Sequence, residues 1–359
     1  MSLALRLKVK SGKVRRFGLC SPNVPRKESP MTVKRPVFLA VLSVIVIGFV
    51  VVASMEMLRI TNPRKLEIAV VLKTNNVRSD YWQMVSAGVK AAAKELAVNI
   101  DITGPVSETD TAGQIRNVDE ALLKKPDAII LAATDYERLA PAATKIKESG
   151  TKLILIDSPV YTHTEASLIA TDNFEAGRKA GVFLAGGQNS QLFGVMTLGG
   201  NQQSIAEKER VSGFKEAIAD FPGVEYAGNY EFDGTEDAAY EQVKHLLAMY
   251  PNIKGIAGLN EKATLGAARA IKEKKWEDHI KIVGFDSSIY EIKLLEEGVI
   301  KATIVQKPFN MGYLSVETAV QALSGIKVDP KVSIDAHVIT KENMYTQENQ
   351  ELLFPLVEK

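Results

Sequence analysis

Short β-branched apolar runs that stop abruptly at a polar residue, each followed by a helical pattern, constrain this chain more than any other feature. Lys281-Ile-Val-Gly-Phe-Asp-Ser287 is the clearest case: a run short enough for a fully buried strand ends in Gly284, Phe285 and an acid, Asp286, where a helix begins. The same grammar recurs at Lys152-Leu-Ile-Leu-Ile-Asp157 and, with an amide for the acid, at Gly255-Ile-Ala-Gly-Leu-Asn260. Strands buried on both faces read as continuous apolar runs and belong to parallel sheets covered by helices. In open α/β sheets, ligands bind outside the carboxyl ends of the strands. Asp157, Asn260 and Asp286 are therefore expected to face one cleft.

The alternation extends along most of the chain. Leu66 to Leu72 predicts a first strand, and Tyr81 to Ala97 has helical spacing, with Trp82, Val85, Val89, Ala93 and Leu96 on one side. Further strands are predicted at 98–102, 128–132, 152–156, 168–170, 191–196, 224–230, 255–259, 280–285 and 302–305. Helices are predicted at 110–124, 139–149, 173–186, 205–221, 235–250, 261–274, 288–297 and 309–324. This order predicts an α/β fold with parallel sheets. Gly186-Gly-Gln-Asn-Ser190 interrupts the series, and a similar series restarts after it, so two similar lobes are expected. The tail after Asn343 is polar, then weakly apolar, and has no assigned role.

The formal charge of +1 hides an uneven distribution. Residues 1–36 carry ten Lys or Arg against Glu28 alone, or +9, which leaves −8 on the remainder. Val37 to Met55 follows as nineteen residues without a charge. At about 1.5 Å per residue such a segment spans roughly 30 Å, enough for a bilayer core. The basic flank places residues 1–36 in the cytoplasm and the acidic remainder outside. A cleaved signal peptide is the competing reading, because Val51-Val52-Ala53 fits a small-residue cleavage site. Met31 is an alternative start. The single cysteine, Cys20, precedes the apolar run, which rules out an intrachain disulfide and a lipid anchor on a cysteine after that run.

Signatures of catalysis are scarce. The sequence has no G-x-S-x-G elbow, no P-loop, and no G-x-G-x-x-G after the first strand. Gly199-Gly-Asn-Gln-Gln-Ser204 precedes a helix but lacks the Walker lysine and reads as a connector. His163, His245, His279 and His337 are isolated, so no metal site and no cofactor is expected. Singly, Asp157 reads equally well as a turn residue before Pro159, Asp286 as a cap with Ser287 and Ser288, and Tyr81 and Trp82 as core. Arg210 could sit on a solvated helix face. Together they are the inventory of a polyol pocket: charged groups bind vicinal hydroxyls bidentately, and aromatic rings cover the apolar face of a sugar.

At this point the chain resembles the type I periplasmic binding proteins, in their ribose-binding-like branch, over residues 66–345. The resemblance rests on Ser79-Asp-Tyr-Trp82, Ile169-Ala-Thr-Asp-Asn173, Lys208-Glu-Arg-Val-Ser-Gly-Phe214, Leu259-Asn-Glu261, Val283-Gly-Phe-Asp286 and Ile304-Val-Gln-Lys-Pro308. It implies two Rossmann-like lobes joined by a three-strand hinge near Thr171-Asp172, Gln306-Lys307 and Ile334-Asp335. The lobes would be 66–171 plus 307–334 and 172–306 plus 335–345. By the same resemblance the ligand contacts fall on Tyr81, Trp82 and Asp157 in the first lobe, on Arg210, Phe232, Asn260 and Asp286 in the second, and on Gln306 at the hinge. Ribose binders follow the first-lobe acid with arginine, where this chain has Ser158; they place asparagines at the positions of Ala132 and Ser79. Those departures point to a sugar-like ligand other than ribose, with Asp80 replacing part of the lost polarity.

The expected function is an extracytoplasmic sugar-binding protein without catalysis. It would close on a monosaccharide or small polyol and present the closed state to an ABC permease or a sensor histidine kinase. A permanent anchor favours the sensor. Two rivals are an α/β enzyme acting on a sugar through Asp157 and Asp286 and a LacI-type repressor core. The repressor needs a helix-turn-helix before residue 60, where the apolar span sits, so no nucleic acid is expected.

Overall fold

The computed structural model describes residues 39–40, 42–52, 64–77, 79–161, 163–186, 192–200 and 204–354. The basic segment 1–36, the ends of the apolar run 37–55, and residues 187–190 of the predicted break lie outside them. The described part of that run, 39–40 and 42–52, is helical. Among the described residues no helix is long and apolar enough to cross a membrane.

From Lys65 onward the chain is one compact unit built on two six-stranded sheets. The first has the order β11-β5-β4-β3-β1-β2, from β1 (Glu67–Val71), β2 (Asn99–Thr103), β3 (Ala128–Leu131), β4 (Lys152–Ile156), β5 (Ser167–Thr171) and β11 (Lys331–Ile334). All of its pairings are parallel. The second has the order β12-β10-β9-β8-β6-β7, from β6 (Phe193–Gly199), β7 (Val224–Glu231), β8 (Ile253–Gly258), β9 (Lys281–Phe285), β10 (Ala302–Val305) and β12 (His337–Thr340). Only β12 runs antiparallel to its neighbour. Each sheet separates two buried clusters, one per face, so the central strands have no solvated side. That is why β3, β4 and β9 could be read directly as unbroken apolar runs.

The chain passes between the sheets after β5, after β10 and between β11 and β12. The last two strands escaped the sequence reading. Both are four-residue edge strands, only partly buried, and so carry little of the continuous hydrophobicity that marks a central strand. The tail after Asn343 forms a helix, Gln347–Leu353, with Thr346 as its N-cap and Leu353 buried in the core of the second sheet.

Helices cover both sheets, and one pair in each lobe meets at backbone contact. In the first lobe, α1 (Asp80–Glu95) packs on α9 (Pro308–Leu323). A Cβ on Gly88 would stand 2.0 Å from the Phe309 carbonyl oxygen, and one on Gly312 would stand 2.1 Å from that of Val85. In the second lobe, α4 (Asn173–Ala185) meets α5 (Ile205–Ala219) in the same way. There a Cβ on Gly177 would lie 2.0 Å from the Arg210 oxygen, and one on Gly213 would lie 1.9 Å from that of Phe174. No side chain fits at these crossings.

Gly312→Ala tests the claim. Helix propensity alone favours alanine by about 1 kcal/mol, whereas forcing α1 and α9 apart costs about 1–3 kcal/mol or more. We expect net destabilisation, read as a lower urea midpoint at unchanged m. A raised midpoint would mean that the helices separate at no cost.

Candidate functional site

Two acids at strand ends anchor the site, one in each lobe. Asp157 follows β4 and Asp286 follows β9, and both take the left-handed backbone conformation, at φ of 64° and 80°. Such conformations cost free energy in non-glycine residues and cluster where the fold holds a side chain for a purpose. At both positions the backbone N–H still bonds the neighbouring strand, Asp157 to the Ile169 carbonyl and Asp286 to that of Ile304.

In the first lobe, the first turn of α1 supplies Tyr81 and Trp82. Their rings meet edge to face at 5.0 Å, and Trp82 is buried while the Tyr81 hydroxyl reaches the cleft. That hydroxyl donates to Asp157 Oδ1 at 2.8 Å. Asp157 Oδ2 accepts from Ser158 Oγ at 2.9 Å and from the ammonium of Lys73, which also donates to Ser158 Oγ at 2.7 Å. Lys73 Nζ lies 5.8 Å from the Trp82 ring centroid. Burial pushes the Asp157 carboxyl up, but the Lys73 charge and the hydrogen bonds from Lys73 and Tyr81 outweigh it and hold the group below its usual range. Burial, followed by the charges of Asp157 and Asp286, drives the Tyr81 phenol well above its ordinary value.

In the second lobe, Arg210 is buried in α5 rather than on a solvated face. Its Nε donates to Asn173 Oδ1 at 2.9 Å and its Nη1 to the Leu259 carbonyl at 2.5 Å, while the guanidinium lies 4.4 Å from the Phe285 ring centroid. Asp286 Oδ1 accepts from Gln306 Nε2 at 2.6 Å, and Gln306 Oε1 accepts from Thr171 Oγ1 at 2.7 Å. Asp286 is not the helix cap; Ser288 is, in a capping box with Glu291 at the start of α8 (Ile289–Glu296). Burial raises the Asp286 carboxyl, with Arg210 and Gln306 opposing and Asp157 adding to the rise. Glu261 opens α7 (Glu261–Lys274) and is pushed up to about 7 by burial and by Asp286. Glu291 is buried beneath them and rises well above its ordinary value through burial and the charges of Asp286 and Glu261.

Asp80, Tyr81, Asp286 and Gln306 line one cavity of about 420 Å³, with Glu261 on the same wall. Trp82, Asp157 and Ser158 join them through Tyr81. Asn260 is the N-cap of α7: its Oδ1 accepts from the Ala263 amide at 2.9 Å and its Nδ2 donates to Glu207 at 2.7 Å. Half-buried Phe232 packs on the second-lobe core beside Gly200. Ser79 sits at the N-cap position of α1 without capping it through its side chain.

Lys73 and Glu261 are the residues that sequence reasoning missed. Lys73 closes the apolar run of β1 just as Asp157 and Asp286 close theirs, so the same strand-end rule would have found it. Glu261 lies inside the quoted Leu259-Asn-Glu261 motif, but sequence alone does not show that the first turn of α7 faces Asp286. Among the described residues no group of His, Cys, Asp and Glu could hold a metal ion.

The family described as periplasmic binding protein domain matches residues 68–327. The ribose import binding protein RbsB of Escherichia coli is 25% identical over 283 residues, 77% of this chain and 90% of that protein. Among solved structures, a carbohydrate transporter solute binding protein from Agrobacterium radiobacter, in complex with D-arabinose, superposes with a TM-score of 0.76 at 29% identity, covering 81% of this chain and 100% of the other. An ABC transporter solute binding protein from Agrobacterium vitis with bound D-fucose does so with a TM-score of 0.74 at 32% identity, covering 80% and 99%. With the family match spanning most of the chain and the two-sheet architecture shared, this chain belongs to the periplasmic binding protein domain family.

Proposed function

We propose that this protein is an extracytoplasmic receptor that binds a monosaccharide-like ligand between its lobes and does no chemistry on it. The observation that carries this reading is the pair of left-handed acids at strand ends of opposite sheets: Asp286 lines the cavity with Tyr81 and Gln306, and Asp157 holds the Tyr81 hydroxyl from behind. The sugar complexes of related structures support it. Ser79, Asp80, Tyr81, Trp82, Asp157, Ser158, Arg210, Phe232, Asn260, Asp286 and Gln306 form the binding set, to which we add Lys73 and Glu261. Lys73 takes the part of the arginine whose place Ser158 occupies: it neutralises Asp157 and keeps a further N–H for the ligand.

The lobes, 66–171 plus 307–334 and 172–306 plus 335–345, close because the ligand touches both and so favours the closed state. An ABC permease or a sensor histidine kinase reads that state. The apolar run 37–55 holds the protein at the membrane with residues 1–36 in the cytoplasm.

Three outcomes test this reading. Asp286→Asn, which keeps the shape and tolerates positive φ, should abolish the thermal shift produced by any sugar that stabilises the protein. It should leave the ligand-free midpoint unchanged or slightly higher, because a desolvated acid is removed. A large loss of ligand-free stability would make Asp286 structural instead.

Electrostatics gives the second. A carboxyl whose folded pKa lies above its unfolded value contributes most stability at low pH and loses it as pH climbs through the folded pKa. For Glu261, raised from 4.5 to about 7, ligand-free stability should fall across that window, by on the order of 1–3 kcal/mol. Glu261→Gln should flatten the slope of urea midpoint against pH; an unchanged slope would refute the role.

Third, Edman sequencing of the mature protein should begin before Val37. A start at Ser54 would show cleavage in place of anchoring.

A further inference from the structure

The cavity of about 420 Å³ that reaches Tyr81, Asp286 and Gln306 does not end with them. Its lining also takes in apolar side chains from several helices, with Gln83, Lys307, Asn310 and Glu351 among them. Met84 comes from α1, Phe309 from the first turn of α9, and Ile289 and Ile292 from α8. Leu352 and Phe354 come from the C-terminal helix α10 (Gln347–Leu353) and the residue that follows it. Ile289 keeps 57% of its surface exposed, although it stands three residues from Asp286. One compartment therefore offers both polar groups, at Asp286, Gln306 and Tyr81, and a set of apolar side chains.

A free monosaccharide accounts for the polar groups only. Its hydroxyls bond Asp286, Gln306 and the Tyr81 hydroxyl, but a hydroxyl turned toward Ile289, Leu352 and Phe354 would lose water without gaining a partner. The volume falls within the range of about 300–1,000 Å³ typical of pockets that enclose larger organic ligands. Four acids on the lining, Asp80, Glu261, Asp286 and Glu351, outnumber the cation Lys307, which disfavours an anionic extension.

We infer that the cleft accepts a sugar carrying a neutral apolar substituent, an aryl or alkyl glycoside, with the sugar on Asp286 and Gln306 and the substituent against Ile289, Phe309, Leu352 and Phe354. This rests on the sugar-binding reading and deepens it by naming the ligand class. The C-terminal helix is then a wall of the site.

The test is calorimetric titration of the full-length protein with D-ribose, D-arabinose, D-fucose and D-galactose, and with the neutral para-nitrophenyl glycosides of the same sugars in both anomers. Burying one aromatic ring against these apolar side chains should make the best glycoside bind about tenfold or more tightly than its parent sugar. Ile289→Asn and Leu352→Gln should each cut that advantage about threefold or more while leaving the parent sugar's Kd within about twofold. The ligand-free thermal midpoint of each variant reports folding separately, and two variants on different helices guard against one that folds poorly. Glycosides that bind no better than the parent sugars overturn the inference and leave the sugar-binding reading standing. An advantage that survives both substitutions also overturns it, because the substituent then lies elsewhere. Failure of every sugar and every glycoside to bind overturns both.

Discussion

Backbone contact between paired helices, permitted by glycine, fixes the geometry on which the cleft depends. Gly88 and Gly312 let α1 and α9 touch in the first lobe, and Gly177 and Gly213 do the same for α4 and α5 in the second. The consequence reaches the site directly. The α1 helix carries Tyr81 and Trp82 in its first turn, and the atom that excludes a side chain at Gly177 is the carbonyl oxygen of Arg210 itself. A side chain at either crossing would displace the helix that carries Tyr81 and Trp82 or the one that carries Arg210. The two lobes solve the same packing problem in the same way, with different residues aimed inward.

The walls differ in charge. Asp157 is neutralised by Lys73 and takes hydrogen bonds from Tyr81 and Ser158, so the first lobe presents ammonium and hydroxyl groups around a satisfied acid. The second lobe gathers Asp286, Glu261 and Glu291, whose carboxyls burial and mutual repulsion raise; Arg210 and Gln306 oppose the rise at Asp286, and Ser288 opposes it at the two glutamates. Arg210 is partly spent on Asn173 and on the Leu259 carbonyl. A polyhydroxylated ligand suits such a pair of faces, because each hydroxyl both donates and accepts.

Much of the architecture was legible because the central strands are buried on both faces, which writes them into the sequence as unbroken apolar runs. The edge strands β11 and β12 are half-solvated and short, and left no such trace. Asp157 and Asp286 were legible for the same reason as their strands: an acid closing an apolar run is conspicuous. Their left-handed backbone was not, since nothing in an aspartate announces its φ. Arg210 could not be placed from its charge-rich segment, because a helix that buries one guanidinium among exposed neighbours looks like a solvated helix. Asn260 illustrates the reverse limit. The strand-end rule located it, but only the structure shows its amide shared between capping α7 and bonding Glu207.

Gln306 sits where the chain crosses from β10 to α9, and its amide joins Thr171, at another crossing, to Asp286 in the cleft. One side chain thus joins two of the segments that pass between the sheets to the acid that closes β9. If the lobes turn about these segments, pivot and sensor are the same few atoms. On the proposed function, a ligand that reorients the Asp286 carboxylate would need no relay through the protein interior: it would exert torque at the axle itself, and a small shift there would be magnified across the full radius of each lobe.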